Sequence, residues 1–175
     1  MVLKLNMEIN KELLSYLAGI IDGEGTITIR KSTYRIRVIK DCINPTYSLR
    51  ITLKMSVEEI PKLLKQTFNG HYYKEKKIYN GKNSFRTNCI MYCYEINNKS
   101  ACDMLDKIYP YLIVKKKQAE IIFELKELKL NKEREKIVLK GCPPFTKDYI
   151  KKLDNLYLKI KKLNHPFNQP LNEVL

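Results

Sequence analysis

The chain has 175 residues, with 33 Lys and Arg against 19 Asp and Glu, for a formal charge of +14 at pH 7. That length suits one domain with its own core, so folding needs neither disulfides nor structural zinc, and the five cysteines, odd in number, form no Cys-x-x-Cys pair. The charge suits a polyanionic partner such as nucleic acid or an anionic membrane; no apolar run approaches the roughly 20 residues of a spanning helix and the start is too polar for a signal peptide, which weighs against the membrane and points to an intracellular chain, cytoplasmic in a prokaryote or organellar if organelle-encoded. Residues 10–22 then carry Leu13, Leu14, Leu17, Ala18 and Ile21 at helical spacing behind Asn10 as N-cap. Three strands are expected next, over 26–30, 34–39 and 48–55, each alternating with period two and separated by turn-like stretches at 31–33 and 41–46. A helix over 56–68 opens on Ser56 and Glu59, the spacing of a capping box, with Pro61 in its early part.

Past Asn69-Gly70, residues 71–79 and 84–96 read as a hairpin around the turn 80–83. Helices over about 98–109, 115–132 and 146–163 fill the rest before a proline-containing tail. Strands grouped between helices indicate an α+β fold, with helices on one face of an antiparallel sheet. The other face is then left to water or a ligand.

Alternation identifies that face. With Ile27, Ile29, Ile36, Val38, Leu49, Ile51 and Leu53 toward the helices, the residues Thr26, Thr28, Arg30, Arg35, Arg37, Ser48, Arg50, Thr52 and Lys54 point away, and Ser32 continues the row. The stretch 71–77 admits either parity; Gly70-His71-Tyr72 favours Tyr72 inward, which sends His71, Tyr73, Glu75 and Lys77 outward, and Thr87 is added from the strand that follows. A row so rich in donors, on so basic a chain, suits the base edges of a DNA major groove.

The stretch LAGIIDGEG, residues 17–25, places Asp22 and Glu24 at a helix C-terminus, against the dipole and beside each other. A cation would relieve both. Gly23 and Gly25 are expected to let the backbone turn and offer carbonyl oxygens, the hard-ligand setting that Mg²⁺ prefers when it shares coordination with phosphate. Gly19 and Gly23, four apart with Ala18 beside them, leave one stripe of this helix almost bare, as if a second copy of the same helix packed there.

These residues resemble the signature of the LAGLIDADG homing endonucleases. The resemblance extends through the strands 26–30 and 48–55, the helix ending Phe68-Asn69-Gly70 and the segment YPYLIVKKKQAEIIFEL at 109–125, covering roughly residues 11–130. It implies one domain over 1–175, with an αββαββα core at about 10–130, a saddle-shaped DNA-binding sheet and a helical extension at about 131–175. The single motif resembles the homodimeric branch, in which Leu17, Ala18, Gly19, Ile20, Asp22 and Gly23 would form the dimer interface.

The implied activity is site-specific cleavage of both strands of double-stranded DNA at a long pseudo-palindrome, with Mg²⁺ as cofactor, Mn²⁺ able to replace it and Ca²⁺ supporting binding alone. Carried over by position, Glu24 and the Gly23 carbonyl would hold the metal, and Lys115 would assist at the scissile phosphate. Lys54 stands where the family often has a water-positioning glutamine; a lysine accepts no hydrogen bond, so the catalytic role implied for that position is altered here. Relatives of this kind also include RNA maturases, which would bind RNA, and non-cleaving DNA-binding proteins.

Overall fold

The computed structural model describes residues 10–35, 43–77, 89–133 and 145–165. Helix α1 (Lys11–Glu24) runs directly into strand β1 (Gly25–Arg35); β2 (Ile43–Met55), α2 (Glu59–Phe68), β3 (His71–Lys77) and β4 (Cys89–Asn97) follow. After them come α3 (Asn98–Ile108), a 3₁₀ turn at Tyr109–Tyr111, α4 (Lys116–Leu130) and α5 (Lys147–Asn164). The four strands form one sheet in the order β1-β2-β4-β3, the α+β arrangement expected. No helix among the described residues is long and apolar enough to cross a membrane.

The described residues divide into two compact units, one made of those within 10–26 and 51–116, the other of those within 27–50 and 117–165. In the first, α1 starts as its sequence dictates: the Asn10 side chain accepts from the Leu13 N–H at 2.9 Å, and Leu17, Ala18 and Ile21 are fully buried. Helix α2 starts later than the Ser56/Glu59 pattern suggests. Its first residue is Glu59, which puts Pro61 at the third helical position, where it has no N–H for a side-chain cap to bind. Glu58 instead accepts from the Tyr72 hydroxyl at 2.5 Å and pairs with Lys74 and Lys62 at 3.0 and 3.1 Å.

Strand β3 is preceded by a glycine whose conformation and surroundings leave no room for a side chain. Gly70 has φ +87°, and a Cβ there would meet the Glu95 carbonyl oxygen at 2.8 Å. The β3–β4 register is antiparallel and pairs His71 with Glu95, Tyr73 with Cys93 and Glu75 with Met91. Tyr72 and its partner Tyr94 lie on the other, helix-covered face, where Tyr94 is 1% exposed. The parity expected for 71–77 is therefore the one adopted.

In the second unit β1 and β2 are longer than the expected strands. Residues 31–33 are strand, not turn, because Ser32 and Thr46 hydroxyls meet at 2.6 Å and Ser48 donates to the Arg30 carbonyl at 3.5 Å, which carries the ladder past the expected break. Residues 34–35, the start of the strand expected over 34–39, close β1; Ile36, Arg37 and Val38 lie outside the described residues, as do Thr87 and the turn at 80–83. Ile27, Ile29, Tyr47 and Leu49 face inward and are buried.

Helix α5, capped by the Thr146 hydroxyl on the Tyr149 N–H at 3.2 Å, buries Tyr149, Leu153, Leu156 and Ile160. Its Asp154 takes the Lys31 ammonium and the Tyr47 hydroxyl, the latter at 2.8 Å, and its Asn164 donates to the Ile27 carbonyl at 2.9 Å. The segment expected as an extension thus helps close this unit's core.

Candidate nucleic-acid interface and acidic centre

The acidic end of α1 is built differently from the expected glycine turn. Asp22, Gly23 and Glu24 are all still helical, and the chain leaves the helix at Gly25 with φ −77°, an ordinary extended conformation. Gly25 is required by proximity, since a Cβ there would stand 2.8 Å from the Ile21 carbonyl oxygen and 2.9 Å from its Cα.

Asp22 does not present its carboxylate to solvent ions. It accepts three backbone N–H groups, from Ile113 at 2.6 Å, Val114 at 3.2 Å and Lys115 at 2.9 Å, which are the residues leading into α4. Asp22 thus ties the last turn of α1 to the segment 113–115 that leads into α4. The same contact returns Lys115, whose ammonium donates to the Asp22 main-chain oxygen. Burial lowers the Lys115 pKa from its ordinary value, while the negative charges of Asp22 and Glu24 pull it back up. Lys115 is therefore half-buried within electrostatic reach of Glu24.

Glu24 is the exposed acid of the pair. The last-turn carbonyls of a helix have no intrahelical donors; here that of Ile21 takes the Gly25 N–H and that of Asp22 takes Lys115. The Glu24 carboxylate and Gly23 carbonyl are hard oxygen donors in the same turn. Among the described residues there is no group of three or more His, Cys, Asp and Glu side chains that would enclose a metal ion by itself. This donor set fits a divalent cation that draws its remaining ligands from water and from a phosphate, the habit of Mg²⁺.

The helix surface assigned to dimer contact is divided. Leu17 and Ala18 have no exposed area and belong to the protomer's own core, so they offer a partner nothing; Ile20 and Asp22 are half-buried. Gly19 and Gly23 are exposed, and a Cβ at either meets no atom within 4 Å. In the same unit Tyr16, Ile113 and Val114 are 49%, 84% and 70% exposed.

The outward row is adopted strand by strand. On β1, Thr26, Arg30 and Ser32 are exposed and Thr28 half-buried; on β2, Ser48, Arg50, Thr52 and Lys54 are half-buried; on β3, His71 and Tyr73 are exposed and Glu75 half-buried. Arg35 and Lys77 are the last residues of β1 and β3. Lys54, expected at the position of the family's water-positioning glutamine, has its ammonium held by Glu75 from β3, and Cys93 on β4 donates its thiol to the same carboxylate oxygen at 3.8 Å. The hydrogen bond from Lys54 to Glu75 raises the Lys54 pKa above its ordinary value against the opposing effect of burial, so it remains an ammonium at neutral pH.

This element order and sheet are those of solved homing endonucleases. One is I-CvuI in complex with its target, with calcium, which superposes at a TM-score of 0.59 over 86% of this chain and 80% of that one, at 19% identity. A second is the archaeal intron-encoded homing endonuclease I-Vdi141I complexed with DNA, at 0.56, 86%, 82% and 17%. The chain has a homing-endonuclease fold. No protein-family model and no curated protein matches the sequence, so the homing-endonuclease likeness rests on structure. What sequence reasoning missed is the partner of Asp22, which lies 91 to 93 positions away and carries no local signal.

Proposed function

We propose that the protein is a site-specific, divalent-metal-dependent DNA endonuclease that works as a homodimer. The observation that carries this reading is the acidic centre: an exposed Glu24 on the last turn of α1, with Lys115 kept within its electrostatic reach by Asp22. A merely basic binding protein needs no half-buried lysine within electrostatic reach of a solvent-exposed acid. The fold and the outward donors of β1, β2 and β3 supply the duplex contacts, with Arg30, Arg50 and Ser48 as base-edge or phosphate donors.

Glu24 and the Gly23 carbonyl would hold the metal together with scissile phosphate oxygens. When bound, the ion lowers the pKa of its water and offsets charge on the leaving oxygen. The chain's own part is to present the Glu24 side chain at the end of α1, to set the Lys115 ammonium against a non-bridging phosphate oxygen and to hold the duplex in register. One acidic centre per chain cuts one strand, so a double-strand break needs two chains about a two-fold axis. The open stripe of Gly19 and Gly23, flanked by exposed Tyr16, supports α1 as the surface where they meet.

The test is Glu24→Gln on a library-selected target. Nicking in Mg²⁺ should disappear while gel-shift affinity is kept or rises, because a negative charge beside phosphates has been removed. Undiminished nicking by this variant would refute the assignment.

A further inference from the structure

Lys54 and Glu75 form an ion pair on the outward side of the sheet, and its construction spans three strands. Lys54 comes from β2 and Glu75 from β3, the two strands that flank β4 in the sheet. Between them on β4, Cys93 is 2% exposed and bonds the same Glu75 oxygen, so a small side chain lies where the lysine stem must cross. Side-chain exposures of 36% and 45% leave both head groups at the surface. A lone carboxylate in a row meant for DNA would repel phosphates; paired with Lys54 it presents a donor and an acceptor side by side at no net charge.

We infer that Lys54 and Glu75 together read one G·C base pair in each half-site, an inference that rests on the DNA-binding reading above. In the major groove a G·C pair offers two adjacent acceptors, guanine N7 and O6, followed by one donor, the cytosine N4 amino group. An ammonium has three donors, of which Glu75 uses one, leaving two for N7 and O6; a carboxylate has about four acceptor positions and takes the N4 amino group beside them. An A·T pair places its donor between two acceptors and adds a thymine methyl, an order that separates the two head groups and sets an apolar group against charge. The pair thus recognises the arrangement of G·C as a unit, and Lys54 acts in specificity instead of at the scissile phosphate.

The test is selection of bound duplexes from a randomised library in Ca²⁺, so that cleavage plays no part, with the full-length wild type, Glu75→Gln and Lys54→Met. The wild type should select G·C at one position of each half-site over A·T by tenfold or more, a factor in the range of about 1–3 kcal/mol for a good bidentate contact. Each variant should lose most of that preference at that position alone, with other positions unchanged. Enrichment of the same sequence by Glu75→Gln with G·C preference intact would overturn the pair as a reader. No sequence enrichment by the folded wild type would instead remove the DNA reading itself.

Discussion

Replacing Asp22 by Ala removes the one carboxylate that organises the entry to α4. Three backbone N–H groups lose their acceptor. Those of Ile113 and Val114 are exposed, so water replaces the carboxylate there with little loss; that of Lys115 is part-buried and retains most of the penalty. Leaving that group without its charged acceptor gives a cost of about 2 kcal/mol. For a chain of this length that corresponds to a fall of about 4–8 °C in thermal midpoint. Asp22→Asn keeps one acceptor and loses the charge, so about half the loss is expected. Urea unfolding followed by far-UV circular dichroism measures both. Single-turnover cleavage at a temperature where the variant is folded should also slow by more than tenfold, because the main chain that sets Lys115 is released. An Ala variant that unfolds at the wild-type urea midpoint would refute the capping role, and one that cleaves at the wild-type rate would refute the link to Lys115.

Gly19→Leu separates assembly from folding: its Cβ meets open space within the protomer and leucine gains up to about 1 kcal/mol of helix propensity over glycine, so protomer stability should hold or rise while sedimentation shows loss of dimer on DNA. A variant that still sediments as a dimer on DNA and cuts both strands would count against the α1 surface. Gly25→Ala should cost about 1–3 kcal/mol in chemical denaturation, from contact with the Ile21 backbone, and a neutral result would show that the helix end yields. Burial lowers the Lys115 pKa, so cleavage should decline as pH rises through a value below the ordinary 10.5, and Lys115→Arg should remove that alkaline limb if it cleaves at all; an unchanged limb in the Arg variant would assign it to another group. Hydrogen bonds from Tyr72, Lys74 and Lys62 hold the Glu58 pKa down at about 2 against an ordinary 4.5, so its stabilisation is complete above the unfolded value and is lost as pH falls through about 2; Glu58→Gln should flatten the acid decline in stability between those values, and parallel acid curves would refute it.

The helices were legible because their apolar residues recur at helical spacing: α1 begins behind Asn10 and α5 behind Thr146, within a residue of expectation. The strand faces were legible from alternation, down to the parity of Tyr72 against Tyr73. Alternation says which way a side chain points but not where a strand stops, and Ser32 and Thr33 suit a turn and a ladder equally; the bond from Ser32 to Thr46 decides for the ladder. The capping box failed for a reason visible in the sequence: a helix begun behind Ser56 would carry Pro61 past its first turn, where the missing N–H leaves the Val57 carbonyl without its donor. At the candidate site Glu24 and Lys115 could be proposed from the family resemblance, in the motif and in the segment 109–125, whereas the partners of Asp22, Lys54 and Asp154 lie 93, 21 and 107 positions away, which no local pattern records.

Asp22 and Glu24 differ in what their loss would leave behind. Asp22 is bound to the fold by three amides, so a change there damages stability and chemistry together and is purged with the misfolded chain. Glu24 is exposed and lies one residue short of the close contact made by Gly25, so its replacement leaves the architecture standing. If the proposed cleavage is what this chain does, a lineage relieved of selection for it would therefore fall silent first at Glu24, keeping Asp22 and the sheet. Such a descendant would survive as a repressor-like occupant of the same DNA, one substitution from its ancestor and able to revert by one.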